Sequence, residues 1–197
     1  QCGNTATCVQ NIIVEDNTSP SLTCPAFKVI SCESDRSPAT LGMAVASDNC
    51  TPANLITITY TDNTSGLILC NGTGTFTRNW KAMDMCGNIA TCIQTIVVVD
   101  QKAPVLTVPP AITISCEQNT STATTGMATA TDNCTPANDV VVAFSDNVLG
   151  LTGCSGTGTI VRTWTARDAC NNIATGTQFI TVQDVTPPAY TCPANVT

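Results

Sequence analysis

Cysteine and aspartate carry most of the chemistry open to this chain, which has 13 cysteines among 197 residues and no histidine. Without an imidazole titrating near neutrality, nucleophilic triads, metalloprotease centres and most acid–base relays have no pivot. The chain is therefore expected to be non-catalytic. Thiols at this density are a liability in a reducing compartment and a source of stability in an oxidising one, which places the protein outside the cell. Zinc-type C-x-x-C spacing is absent, so the cysteines are expected to form disulfides.

Aspartates recur in step. Asp16, Asp48 and Asp84 return as Asp100, Asp132 and Asp168. If each trio converges, its oxygens suit calcium, the one cofactor considered, which would stiffen a domain junction. The competing reading is that each aspartate caps its own turn through local hydrogen bonds. Sequons begin at Asn17, Asn49, Asn63, Asn71, Asn119, Asn133 and Asn195, mostly in expected turns that would accommodate a glycan. The 7 basic residues are scattered against 14 acidic ones, for a net charge of −7, so nucleic acid is excluded as a partner. No run of about eighteen apolar residues is present to insert in a membrane.

An internal repeat positions these residues. Cys2-Gly-Asn-Thr-Ala-Thr-Cys8 returns as Cys86-Gly-Asn-Ile-Ala-Thr-Cys92 and, altered, as Cys170-Asn-Asn-Ile-Ala-Thr-Gly176, with a period of 84 residues. The same offset relates Asp48-Asn-Cys-Thr-Pro-Ala-Asn54 to Asp132-Asn-Cys-Thr-Pro-Ala-Asn138, and Trp80 to Trp164. Such self-similarity marks tandem domains. Proline-containing segments at Asp16–Pro20, Asp100–Pro104 and Asp184–Pro188 read as short linkers. The expected organisation is the end of one domain (1–17), two full domains (18–101 and 102–185) and the first strand of another (186–197).

Within a repeat, short β-rich runs are broken by Asn, Asp, Gly and Pro. They span Leu22–Ile30, Gly42–Ser47, Leu55–Thr61, Thr73–Ala82 and Ile89–Val99. Helical periodicity is missing, so the fold class is all-β: tandem immunoglobulin-like sandwiches, end to end and disulfide-stapled. Phe76, Trp80 and Ala82 alternate with Thr77, Asn79 and Lys81, which makes Trp80 and Trp164 core anchors. Arg78 and Arg162 interrupt that apolar face and are expected to pair with a carboxylate at the sheet rim.

The cysteines can be read by difference. The first full repeat has Cys24, Cys32, Cys50, Cys70, Cys86 and Cys92; the second keeps Cys116, Cys134, Cys154 and Cys170 but has Val108 and Gly176 for the other two. Joint loss is what a bonded pair predicts, so Cys24 is paired with Cys92. In a sandwich whose first and last strands run side by side, the poles then suggest Cys50–Cys86, Cys32–Cys70, Cys134–Cys170 and Cys116–Cys154. Four cysteines allow three connectivities, and the others stay open. Cys2, Cys8 and Cys192 have no partner in an incomplete domain, so they are expected to bond outside this window, through chain continuation or a neighbouring subunit.

Thr23-Cys-Pro25, Ala44-Val-Ala-Ser-Asp-Asn-Cys50, Trp80-Lys-Ala-Met-Asp84 and Cys86-Gly-Asn-Ile-Ala-Thr-Cys92 resemble the motifs of hyalin-type (HYR-like) immunoglobulin-like repeats, above all the cysteine-rich versions in large surface or secreted proteins of Bacteroidota-type bacteria. The resemblance covers essentially the whole chain and implies adhesion, or a stalk or fibre role. The expected function is thus a structural repeat of an extracellular filament, fibre or adhesin stalk, partnered head to tail by copies of itself or adjacent repeats. Two alternatives stand beside it: an adhesive module binding glycan or protein, and an ancillary module of a secreted enzyme.

Overall fold

The computed structural model describes residues 2–153 and 156–192. Cys154 and the sequon residue Asn195 lie outside them. The described chain forms two compact units. One comprises Gln1–Ile30, Ser34–Leu67 and Thr75–Val98; the other comprises Ser31–Glu33, Ile68–Gly74 and Val99–Thr197.

The first repeat runs β1 (Ser21–Thr23), β2 (Lys28–Ser31), the single-turn helix α1 (Pro38–Leu41), β3 (Val45–Ser47), β4 (Thr57–Asn63), β5 (Gly74–Met83) and β6 (Ile89–Val99). Strands β1 and β3 form a two-stranded antiparallel sheet, and β2-β6-β5-β4 a four-stranded one. The second repeat follows the same plan. Its elements are β7 (Val105–Thr107), β8 (Ile112–Ser115), α2 (Thr122–Thr125), β9 (Thr129–Thr131), β10 (Val141–Gly150), β11 (Gly158–Arg167) and β12 (Ile173–Gln183). Here β7 pairs with β9, and the larger sheet has the order β10-β11-β12-β8, with β8 parallel to β12. Both repeats are immunoglobulin-like sandwiches.

The run expected as one strand over Leu22–Ile30 is two strands in different sheets. Pro25 lies between them and has no N–H to give a ladder, so the chain leaves one sheet there and joins the other. Gly42 closes α1 at φ +102°, and a Cβ there would meet Pro25 Cβ at 3.1 Å. The crossing proline and the terminating glycine therefore fit as a pair.

Alternation along β5 buries Gly74, Phe76, Arg78, Trp80 and Ala82, while Lys81 and Asn79 face solvent. Trp80 and Trp164 are among the largest fully buried side chains, as the alternation predicts. Each indole N–H faces a buried glutamine: Trp80 Nε1 lies 3.4 Å from Gln94 Oε1, and Trp164 Nε1 lies 3.3 Å from Gln178 Oε1. Gln94 Nε2 also donates to the carbonyls of Ala26 (3.1 Å) and Leu41 (2.9 Å), so one amide ties β6 to the β1–β2 connection and to the end of α1. A buried amide so fully engaged fixes strand register as well as filling space.

The arginines that interrupt the apolar face are ion-paired inside it. Arg78 Nε and Nη2 donate to both carboxylate oxygens of Asp62, at 2.7 and 2.9 Å, and Arg162 does the same to Asp146. The partners sit directly opposite across the ladder, Asp62 to Arg78 and Asp146 to Arg162. Each guanidinium also lies over an aromatic ring, with Tyr60 4.4 Å and Phe144 4.1 Å from the charge centre. The hydrogen bonds that Arg78 donates to Asp62 lead the rise in the arginine's pKa, outweighing the opposing effect of burial.

One difference separates the two arginine sites. Arg162 Nη1 donates to Thr125 Oγ1 at 2.6 Å, whereas Arg78 Nη1 is buried without a partner. The residue equivalent to Thr125 in the first repeat is Leu41. Replacing Thr125 by valine keeps the shape and removes the acceptor, so a loss of about 1–3 kcal/mol is expected from the second repeat. Denaturant-induced unfolding of the Thr125→Val variant should show that loss; an unchanged midpoint would show that solvent replaces the acceptor.

Candidate functional site

At one pole of each sandwich three turns bring the aspartate trio together. One carboxylate oxygen from each of Asp16, Asp48 and Asp84 lies within 4.8 Å of the others, and Asp100, Asp132 and Asp168 repeat the arrangement. The turns hold them by local hydrogen bonds. Asp48 Oδ2 accepts from the backbone N–H of Cys50 and Thr51, both at 2.9 Å, as Asp132 Oδ2 does from Cys134 and Thr135. Asp84 is bonded by Asn88, through its backbone N–H and side-chain amide, both at 2.8 Å. The same amide donates to the carbonyl of Asp16 at 2.9 Å, which fastens the preceding linker to the hairpin turn. Asn172 repeats these bonds to Asp168 and Asp100.

Both expectations for the aspartates are thus met in part: they cap turns, and they also converge. Capping uses only some of their oxygens. Asp16 Oδ2, Asp48 Oδ1, Asp100 Oδ2 and Asp132 Oδ1 are buried with no hydrogen-bond partner. Burial, with added repulsion from Asp132, Asp168 and Glu33, raises the pKa of Asp100 despite the N–H of Lys102. Burial also opposes ionisation of Asp84, but the hydrogen bonds from Asn88 and from backbone N–H groups outweigh it and hold the pKa down. The sign follows for Asp84: the stability its ionised form lends is present above the ordinary carboxylate range and is lost as pH falls below it. Oxygen-only donors, excess negative charge and buried oxygens without partners fit a hard divalent cation. A third grouping, Cys32, Asp100 and Cys134, offers no thiolate because its sulfurs are bonded to each other.

Sequence reasoning singled out the aspartates but missed Asn88 and Asn172. Their signal was present as Asp-x-x-x-Asn, repeated at Asp84–Asn88 and Asp168–Asn172.

The disulfides differ from the pairing by poles. Cys24 is bonded to Cys92, the pair inferred from joint loss. Cys32, however, is bonded to Cys134, and Cys70 to Cys170, with Cα separations of 6.0 and 5.1 Å. Cys32–Cys70 and Cys134–Cys170 therefore do not form. Cys50 and Cys86 are free and exposed rather than joined, and Cys116 is also free. The expected Cys116–Cys154 pair involves a residue outside those described. The physical reason is the period itself: a chain of near-identical repeats offers each thiol a second partner one repeat further on, at sequence separations of 102 and 100. The segments carrying Cys32 and Cys70 cluster with the second unit accordingly. Cys2, Cys8 and Cys192 are free and exposed.

The sequon residues Asn17, Asn49, Asn63, Asn71, Asn119 and Asn133 are all exposed. Four are already engaged: Asn49 Nδ2 lies against the sulfur of Cys50, Asn63 Oδ1 accepts from the backbone N–H of Ser65, Asn119 Oδ1 accepts from Ser121 and Thr124 at the start of α2, and Asn133 Nδ2 lies against the sulfurs of Cys32 and Cys134. A narrow groove beside the first trio is lined by Thr18, Ser19, Ser21, Ser47, Asp48 and Asn49, and its counterpart recurs one period on. No described helix is long and apolar enough to cross a membrane.

No family model and no curated protein matches the chain. Solved structures do. A Drosophila N-cadherin EC1-4 chain aligns at 14% identity and TM-score 0.37, over 85% of this chain and 50% of its own. Human protocadherin-24 EC1-2 aligns at 15% identity and TM-score 0.36, over 85% of this chain and 100% of its own. Sidekick-1 immunoglobulin domains 1-4 align at 12% identity and TM-score 0.36, over 84% and 49%. The chain thus spans about half the length of the N-cadherin and Sidekick-1 chains. The functional reading rests on this chain's own residues.

Proposed function

We propose that the chain is a non-catalytic structural repeat of an extracellular filament, fibre or adhesin stalk, joined head to tail to further repeats of its kind. The observation that carries this reading is the pair of disulfides Cys32–Cys134 and Cys70–Cys170, each linking residues more than one 84-residue period apart. A domain that worked alone would satisfy its thiols within itself. The close likeness of the two repeats adds to this, since core tryptophan, buried arginine pair and aspartate trio are all duplicated. The HYR-like motifs of surface and secreted proteins point the same way, as does a cysteine content suited to an oxidising exterior. Negative-stain microscopy of native material, decorated with an antibody to this chain, should show label recurring along an extended fibre or stalk. Label confined to isolated globular particles would overturn the reading.

A second reading, an adhesive module for glycans or proteins, draws on the groove beside Asp48 and its copy beside Asp132. Its lining contains no aromatic ring for a sugar to stack on, which favours the structural reading.

Within the structural reading the aspartate trios hold calcium. Asp16, Asp48 and Asp84 would bind one ion and Asp100, Asp132 and Asp168 another, relieving the charge that the buried oxygens concentrate. Bound calcium would tie the linker, the turn after β3 or β9 and the last hairpin turn together. At a hundredfold excess over Kd such a site adds about 2.7 kcal/mol, on the order of 10 °C in Tm for a domain of this size. The shift between calcium and chelator should vanish in Asp100→Asn with Asp132→Asn for the second repeat. It should also shrink on acidification through the raised pKa of Asp100, since protons compete for the same oxygens. An unchanged Tm with calcium at neutral pH would leave the trios as turn caps only.

A further inference from the structure

The disulfides follow a rule that reaches beyond the bonds formed. Cys32 and Cys116 are equivalent positions, as are Cys50 and Cys134, and Cys86 and Cys170. In the bonds observed, a Cys32-type thiol takes the Cys50-type thiol 102 residues further on, and a Cys70-type thiol takes the Cys86-type thiol 100 residues further on. Cys134 and Cys170, which within-repeat pairing would join to each other, are both bonded elsewhere. Their first-repeat counterparts Cys50 and Cys86 are both exposed and free.

We infer that Cys50 and Cys86 form a two-disulfide docking site for a further repeat of this kind, which supplies a Cys32-type thiol to Cys50 and a Cys70-type thiol to Cys86. Cys116 is the matching donor at the other end and takes a Cys50-type thiol. Each bond forms as two thiols give up two electrons and two protons to an oxidant of the disulfide class, which leaves as two thiols.

The inference rests on the tandem-repeat reading but can fail separately from it. Native material is denatured without reductant, its free thiols are alkylated, and the cross-linked peptides are identified by mass spectrometry. Cys50 should be linked to a peptide of the Ile-Ser-Cys-Glu type found at Ile30–Glu33, and Cys86 to one of the Cys-x-Gly-Thr-Gly-Thr type found at Cys70–Thr75. A link between Cys50 and Cys86, or alkylation of both, would overturn the docking site while leaving a fibre assembled by other contacts intact. Electrophoresis then separates the two sources of the partner. A ladder that collapses on reduction to its smallest rung identifies separate copies. A high mass that survives reduction, together with the predicted linked peptides, identifies further repeats of one polypeptide.

Discussion

Asp146→Ala is expected to destabilise the second sandwich by about 3–5 kcal/mol, the range for removing one partner from a buried ion pair. Arg162 is almost wholly buried, its side chain 1% exposed, and among the described residues its charge has no other acid at salt-bridge distance. The alanine would leave a guanidinium held by Thr125, the carbonyl of Thr120 and the face of Phe144, with no counter-charge. The change is best read by hydrogen exchange, in which amides of β10 to β12 should lose protection while those of β4 to β6 serve as an internal reference. Replacing both partners by apolar residues, Asp146→Leu with Arg162→Met, should recover part of the loss because no charge is then stranded. Recovery would be incomplete, since Thr125 Oγ1 and the Thr120 carbonyl would lose their donor. Equal protection in Asp146→Ala and the parent would show that solvent reaches the guanidinium.

The other large effect runs in the stabilising direction. The second repeat lacks the Cys24–Cys92 bridge, and the structure shows what fills its place. A Cβ on Gly176 would lie 2.5 Å from Val108 Cγ2, so the valine occupies space that only a glycine leaves open. Val108→Cys together with Gly176→Cys should restore a bridge with the 68-residue separation seen in the first repeat. By loop-closure entropy that bridge would contribute about 4 kcal/mol, less any strain of fitting it. The gain should appear as a raised unfolding midpoint in oxidising buffer and disappear with reductant. Gly176→Cys alone should destabilise, because it crowds Val108 without closing a loop. A double variant that forms the bond yet gains nothing would place the bridge's benefit in the first repeat's particular packing.

The same pair of positions shows what the sequence could tell. The joint replacement of two cysteines was legible because one bond couples two residues, and neither is useful alone. The strands were legible for a similar reason: alternation along Phe76–Ala82 is imposed by a single buried face. Arg78 broke that alternation, and a rim carboxylate was expected to answer it; its near-total burial was not legible, because no local pattern announces a charge inside a core. Leu22–Ile30 looked like one strand because pattern does not say which sheet a residue joins. The remaining disulfides were misassigned for a deeper reason. Chemistry at a cysteine is local, but in a periodic chain its neighbours include residues a whole repeat away, and nothing in a single repeat distinguishes the near partner from the far one. The aspartate trios were visible as a recurrence; the asparagines that pin them were not, because asparagine in a turn is ordinary.

The far pairing changes how the chain would carry load. Stretched without cross-links, 197 residues would reach roughly 690 Å. With the three bonds in place, the shortest covalent route between the ends runs from Cys24 across to Cys92, back along the chain to Cys70, across to Cys170 and out, which allows roughly 250 Å. Strands β2 to β4, most of β6 and all of β7 to β11 lie off that route, whereas β1, β5 and β12 lie on it. A pull on the ends would load β1, β5, β12 and the sulfur–sulfur bonds, while the strands off the route stay inside closed covalent loops, so the reachable extension is set by where the cysteines cross and not by how firmly the sheets hold.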